Sequence, residues 1–138
     1  MADLMRVSFT IERRLYEELE RLLATTEYGN RSEFIRDLVR ERIVRDSWRR
    51  NEEAVGTITM VYNHHQRDLS GALTSLQHEH HDAILVTTHV HLTHDLCVET
   101  IIVRGHAQSI EKLADELRRN KGVLHVAVSM SSTGQRLK

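Results

Sequence analysis

The chain has no proline, a single cysteine and only six glycines among its 138 residues. With so few breakers, punctuation falls mainly to the glycines at 29, 56, 71, 105, 122 and 134. One cysteine cannot close an internal disulfide, so Cys97 is a buried small hydrophobe, a reactive thiol or a thiolate ligand. No run of eighteen apolar residues, no signal-peptide pattern and no lipidation box is present. No membrane contact is therefore expected, and a cytoplasmic location is. Charge of one sign is lacking as well: the formal net charge is −1 at pH 7. A general electrostatic pull on nucleic acid is absent, and any DNA contact must come from a local patch.

What is present is the composition of a globular protein, 28% charged and 40% hydrophobic. Residues 1–50 hold eleven of the nineteen basic residues, every one of them arginine, against ten acidic ones. The guanidinium fork suits phosphate oxygens and base edges better than an ammonium does. Within this half, RVSFTIE (6–12) alternates strictly, with Val7, Phe9 and Ile11 on one face and Arg6, Ser8 and Thr10 on the other. That is the pattern of a half-buried strand. Residues 12–28 place Leu15, Leu19, Leu22 and Leu23 at helical spacing, with Gly29 as the stop. Residues 30–50 predict a second helix with Phe34, Ile35, Leu38, Val39 and Ile43 inside, capped by Asn30 with Glu33 three residues on.

A polar stretch near residues 49–56 marks a boundary, so the expected division is a first domain over 1–50, a linker over 51–56 and a second domain over 57–138. The second domain reads as strand (57–63), helix (65–80), strand (84–92), strand (97–104), helix (108–121) and strand (123–130), with a tail after it. This β-α-β-β-α-β order is the ferredoxin-like, split-βαβ motif, and the chain as a whole is α+β.

A lone seven-residue strand ahead of two helices has no partner in its own domain and must find one. Either it adds to the edge of the second domain's sheet, or it pairs with its copy in another chain as an antiparallel ribbon, which fits a DNA major groove. Its polar face carries donors suited to base edges. Residues 5–47 resemble the ribbon-helix-helix repressors, with YGNRSEFIRDLVRERI close to that family's second helix. The resemblance implies that Arg6, Ser8 and Thr10 enter the major groove and that the helix start at Asn30, Arg31 and Ser32 clamps a phosphate.

Eight of the ten histidines fall between residues 64 and 94. In a strand, His89 and His91 share one face. Cys97 joins that face only if it pairs with an odd-numbered residue, as across a three-residue loop (His94 to Leu96) or a five-residue one (Leu92 to Leu96); a four-residue loop turns it away. Two imidazoles and a thiolate make a metal-ligand set, and the helix segment SLQHEHHD offers a fourth from His78 or His81, between which spacing does not choose. Three histidines and a cysteine suit Ni(II), Cu(II) or Zn(II). A Cys97 nucleophile activated by histidine is the catalytic alternative, but no oxyanion-hole element or glycine-rich loop accompanies it, and no enzyme activity is expected. For His94, His106 and His125 an ordinary structural role is expected.

From Met5 to about Met130 the chain resembles the nickel-responsive repressors, which join a ribbon-helix-helix domain to a ferredoxin-like (ACT-type) metal domain. The most specific segment is VYNHHQRDLSGALTSLQHEHHDAILVTTHVHLTHDLCVE. The resemblance implies a Ni(II) site of His89, His91 and Cys97, completed by His78 from another protomer of a homotetramer, a dimer of dimers. It implies a weaker cation site at Glu33 and Asp37, for which a solvated acidic face beside Arg36 and Arg40 is the alternative. His64 falls near that region without a defined role, and Glu79 interrupts the family's histidine run. The function implied is repression at a palindromic double-stranded operator when nickel is bound, controlling nickel uptake. A metal-storage or delivery protein accounts for the histidines but leaves the ribbon face idle. An ACT-like amino-acid sensor leaves the His/Cys face idle.

Overall fold

The computed structural model describes residues 3–138. They form two compact units, a smaller one running to Ile43 and including Leu137 and Lys138, and a larger one, Val44–Arg136.

The smaller unit contains helix α1 (Arg13–Ala24) and most of α2 (Arg31–Arg49). α1 stops at Thr25, short of Gly29, where the sequence puts the end of the helix. The reason is local: the hydroxyls of Thr25 and Thr26 donate to the carbonyls of Leu22 and Leu23 at 2.9 and 3.1 Å, competing with continuation of the helix. α2 starts as expected, with the Glu33 amide donating to Asn30 Oδ1 at 3.0 Å. Phe34 is buried and meets Tyr28 edge-on at 5.1 Å. Residues 3–12 join no helix or strand, which corrects the expected strand as far as one chain is concerned. A ladder needs a second strand, and the four strands of the larger unit's sheet do not include this segment. Val7, Phe9, Leu15, Leu38 and Val39 all remain exposed.

In the larger unit the order is β1 (Glu53–Asn63), α3 (Leu69–Glu79), β2 (Ile84–His91), β3 (Leu96–His106), α4 (Ala107–Arg118) and β4 (Val123–Met130). The strands make one antiparallel sheet ordered β2-β3-β1-β4, the ferredoxin-like arrangement expected from the sequence. β1 begins at Glu53, inside the stretch 51–56 expected as a linker. The turn ahead of β1 is held within the larger unit. Asn51, at a φ of 54°, accepts the Gln108 amide on its side chain at 2.9 Å, and its carbonyl bonds His106 Nδ1 at 3.0 Å.

The alternation of β1 buries Ala54, Ile58, Met60 and Tyr62, and that of β3 buries Cys97, Glu99, Ile101 and Val103 on the same face. α4 covers this face with Ile110, Leu113 and Leu117, and α3 with Leu69 and Leu73. At Gly56 a Cβ would lie 3.0 Å from both Ile110 Cγ2 and Trp48 Cη2, so the absent side chain is what lets α4 and the indole close over the sheet. Trp48 anchors there by donating Nε1–H to the Ser131 carbonyl at 2.8 Å. The opposite face carries the facing pairs Val86–Ile102 and Val90–Val98 and has no covering element among the described residues.

Candidate metal centre

Register decides what the histidines can do. β3 lies between β1 and β2, and Cys97 pairs with Tyr62 on one side and His91 on the other. The hairpin thus has the five-residue connection that keeps Cys97 on the face of His89 and His91. One step further along the ladders, Glu99 lies between Met60 and His89. Cys97 Sγ is 3.1 Å from His91 Nδ1 and 3.4 Å from His64 Nδ1. Bond lengths of about 2.3 Å to sulfur and 2.0–2.1 Å to nitrogen separate neighbouring donors by roughly 3.1 Å at a right angle and 3.5 Å at a tetrahedral one. The spacing of these donors fits a shared metal ion.

His64 is the residue brought in by the fold rather than by the motif. It follows β1 directly, and its amide donates to the Asp95 carbonyl at 3.0 Å, which holds its ring over the thiol. The register Tyr62–Cys97 contains this placement, but only once β1 is known to neighbour β3.

His89 lies beside this group, its ring 4.9 Å from that of His91, and is held by a polar chain that the motif does not reveal. The Tyr62 hydroxyl donates to Glu99 Oε2 at 3.2 Å and lies 3.0 Å from His89 Nδ1. A hydroxyl has one hydrogen. Given to Glu99, it leaves the oxygen to accept from Nδ1–H of His89, and Nε2 then carries the free lone pair a metal needs. Glu99 also accepts from Gln77 Nε2, and Gln77 Oε1 accepts from Thr87 at 3.0 Å. Burial and the Glu99 charge raise the Tyr62 hydroxyl well above its ordinary pKa, so it stays a donor. The visible signal in the sequence was a charged residue, Glu99, at an inward position of an otherwise apolar strand.

Cys97 is fully buried, and burial together with Glu99 raises its thiol above the ordinary value. Without a metal it is a thiol at neutral pH, so ion binding must release its proton. Burial also depresses the His64 imidazole, with help from the neighbouring histidines.

His78 is exposed on α3. With His81, His89, Tyr62, Gln77 and Glu99 it lines a cleft of about 440 Å³. Within one chain its donors do not join the His64, His91 and Cys97 group.

Of the residues expected at DNA, Arg6, Ser8 and Thr10 are exposed in the segment ahead of α1, and Asn30 caps α2. Arg31 is occupied. Its Nε and Nη2 donate to the two Glu20 oxygens at 2.6 and 2.9 Å, and Nη2 also to Tyr16 Oη at 3.1 Å. Ser32 is exposed.

Comparison with known proteins fixes the context of these observations. Residues 55–131 match the NikR C terminal nickel binding domain, and residues 5–46 match the ribbon-helix-helix proteins of the copG family. A relative from Geobacter metallireducens is 46% identical over 99% of both chains. One from Pyrococcus horikoshii is 45% identical over 98% of this chain and 99% of its own. Both carry the name nickel-responsive regulator. This chain belongs to the nickel-responsive regulator family. The family is one of regulators, not enzymes, and its members join a ribbon-helix-helix DNA-binding domain to a nickel-binding one. Among solved structures, an uncharacterized protein from Thermotoga maritima shares the fold over 57% of this chain and 98% of its own, with a TM-score of 0.52 at 16% identity.

In this member of the family the second cation site implied by resemblance gains little from geometry. Asp37 is engaged by Arg40 Nη1 at 2.7 Å and by the Tyr28 hydroxyl, which together lower its pKa. No third His, Cys, Asp or Glu donor joins Glu33 and Asp37 among the described residues. No helix among the described residues is long and apolar enough to cross a membrane.

Proposed function

We propose that the chain is a cytoplasmic repressor that binds a palindromic double-stranded operator when Ni(II) occupies a site made of His89, His91, Cys97 and a second protomer's His78, and so controls nickel uptake. The observation that carries this reading is the His91–Cys97 register, with Sγ and Nδ1 3.1 Å apart, in a chain that also bears a ribbon-helix-helix unit. Residues 1–50 form the DNA reader and residues 57–138 the sensor. His64 stands by as a further donor to the sensor site, and Glu33 with Asp37 as a weaker cation site.

The homotetramer is a dimer of dimers. The exposed apolar residues of the smaller unit and the uncovered apolar face of the sheet support it, since each is a surface that a second copy of the chain would bury. Arg6, Ser8 and Thr10 of two chains form the ribbon that reads bases, and the amides at Asn30 to Ser32 hold phosphate. In the sensor, Cys97 supplies a thiolate by losing its proton, His91 aims Nδ1 at the same point, and Tyr62 fixes the tautomer of His89. When bound, the ion supplies binding energy to one arrangement of the protomers, about 1.4 kcal/mol for each tenfold difference in affinity between arrangements.

The test is enrichment of duplexes from a randomised DNA pool on the purified protein, apo and with one equivalent of nickel or zinc. A spaced palindrome recovered with nickel alone supports the proposal. Recovery under all conditions demotes the metal to a structural ion, and no recovery points to metal storage or delivery.

A further inference from the structure

α3 ends at His80, where a φ of −109° and a ψ of 20° take the chain out of the helix. The His80 carbonyl then accepts from the amides of Ala83 and Ile84 at 3.0 and 3.2 Å, so the residue that closes the helix also fixes the start of β2. Its side chain reaches α4. Nε2 lies 3.0 Å from Glu116 Oε2, and the two side chains are only 27% and 25% exposed. We propose that His80, through Glu116, is a positioning residue for His78, setting the last turn of α3 in the place from which His78 serves as a nickel ligand. This rests on the reading of His78 as the donor given to a second protomer's site.

The end of a helix frays unless something holds it. Two side chains hold this one, each to a different element. Gln77, one residue before His78, is bound to Glu99 and Thr87 of the sheet. His80, two residues after it, is bound to α4. The backbone adds to both, with the His80 amide donating to the Gln77 carbonyl at 3.2 Å and the His81 amide to the His78 carbonyl at 3.3 Å. Between the two anchors His78 stays exposed, its ring free to face outward.

Glu116 is a fixed point. It lies on α4 between Leu113 and Leu117, both fully packed in the core, and Lys112 Nζ is 3.7 Å from its other oxygen. A carboxylate only accepts, so Nε2 carries the hydrogen of the bond in the neutral ring and in the imidazolium alike. The effect on the metal follows from order. A ligand borne on a loose turn must be immobilised when the ion arrives, and that loss of freedom is subtracted from the affinity. Contacts that orient a metal ligand change affinity by roughly 10–100-fold when removed.

Nickel competition titrations on the full-length protein test this, with variants at His80, Glu116 and His78. His80→Leu cannot donate and should lose roughly tenfold in nickel affinity, while keeping the thiolate-to-nickel absorption band at saturation. Glu116→Leu should reproduce that loss from the other helix. Glu116→Gln, whose amide oxygen still accepts, should recover most of it. His78→Ala should bind nickel more weakly than any of these, and adding His80→Leu to it should change nothing further, because the pair acts only through His78. A general loss of stability would instead lower affinity equally in both backgrounds. Equal losses with and without His78, or unchanged affinity in His80→Leu beside a loss in His78→Ala, overturn the positioning role and leave the ligand set standing. Unchanged affinity in His78→Ala removes His78 from the ligand set and this role with it.

Discussion

His91 and Cys97 face each other directly across the β2–β3 ladder, with Nδ1 3.1 Å from Sγ. Among the described residues no other pair puts a thiol and an imidazole on adjacent strands of a buried sheet face, and the consequences begin there.

Cys97→Ala should abolish tight nickel binding, with a loss of at least 100-fold, and with it metal-dependent operator binding. The fold should persist, since a small buried side chain is replaced by one smaller still. Metal competition titrations and gel shifts read the first two effects, and circular dichroism the third. Full retention of tight binding would remove Cys97 from the site.

Nickel affinity should rise with pH. The buried thiol has a raised pKa, so at neutral pH it is protonated and each ion must displace that proton. Below the folded-state pKa the expected slope is about tenfold in affinity per pH unit from this group. The sign for metal-free stability is opposite. A raised pKa in the folded state contributes stability that is full below the unfolded value and is lost as pH rises through the folded one. Titrations at pH 6.5, 7.5 and 8.5 check the first sign, and metal-free melting curves carried to alkaline pH, above the ordinary thiol range, check the second.

Arg6→Ala should leave nickel binding untouched and cost roughly 1 to 3 kcal/mol of specific DNA affinity. Filter binding with nickel present measures it. Unchanged affinity would mean that the segment ahead of α1 does not read bases.

Gly56→Ala should destabilise the larger unit by about 1 to 3 kcal/mol, because the new methyl meets Ile110 and Trp48 at 3.0 Å in a packed core. A urea midpoint reports this. An unchanged midpoint would show that the indole can move aside freely.

Much of this was legible in the sequence, for reasons that differ by element. The order of strands and helices in the larger unit follows from where apolar runs and breakers fall, and the period of two in a strand yields the condition that Cys97 must pair with an odd-numbered residue. Which loop length meets that condition did not follow, since residues 92–96 can close a hairpin in more than one register. The end of α1 was misplaced because Gly29 is a louder signal than the Thr25–Thr26 hydroxyls, which act first. The strand expected at 6–12 has the right alternation but no ladder within one chain. Tyr62 and Glu99 were missed because side-chain hydrogen bonds across strands and to a helix leave no mark in spacing, and His64 because its place over Cys97 depends on the order of strands.

The chain of contacts from Thr87 through Gln77 and Glu99 to Tyr62 ends on His89, and Gln77 is the neighbour of His78 on the same helix. One rigid segment therefore governs both the inner imidazole's protonation pattern and the position of the outer one. Donors of His64, His91 and Cys97 already lie within 4.8 Å of one another in the folded chain, so on the proposed reading an arriving ion meets a rehearsed cast. What it must displace is water and a proton, and little disorder of the polypeptide itself.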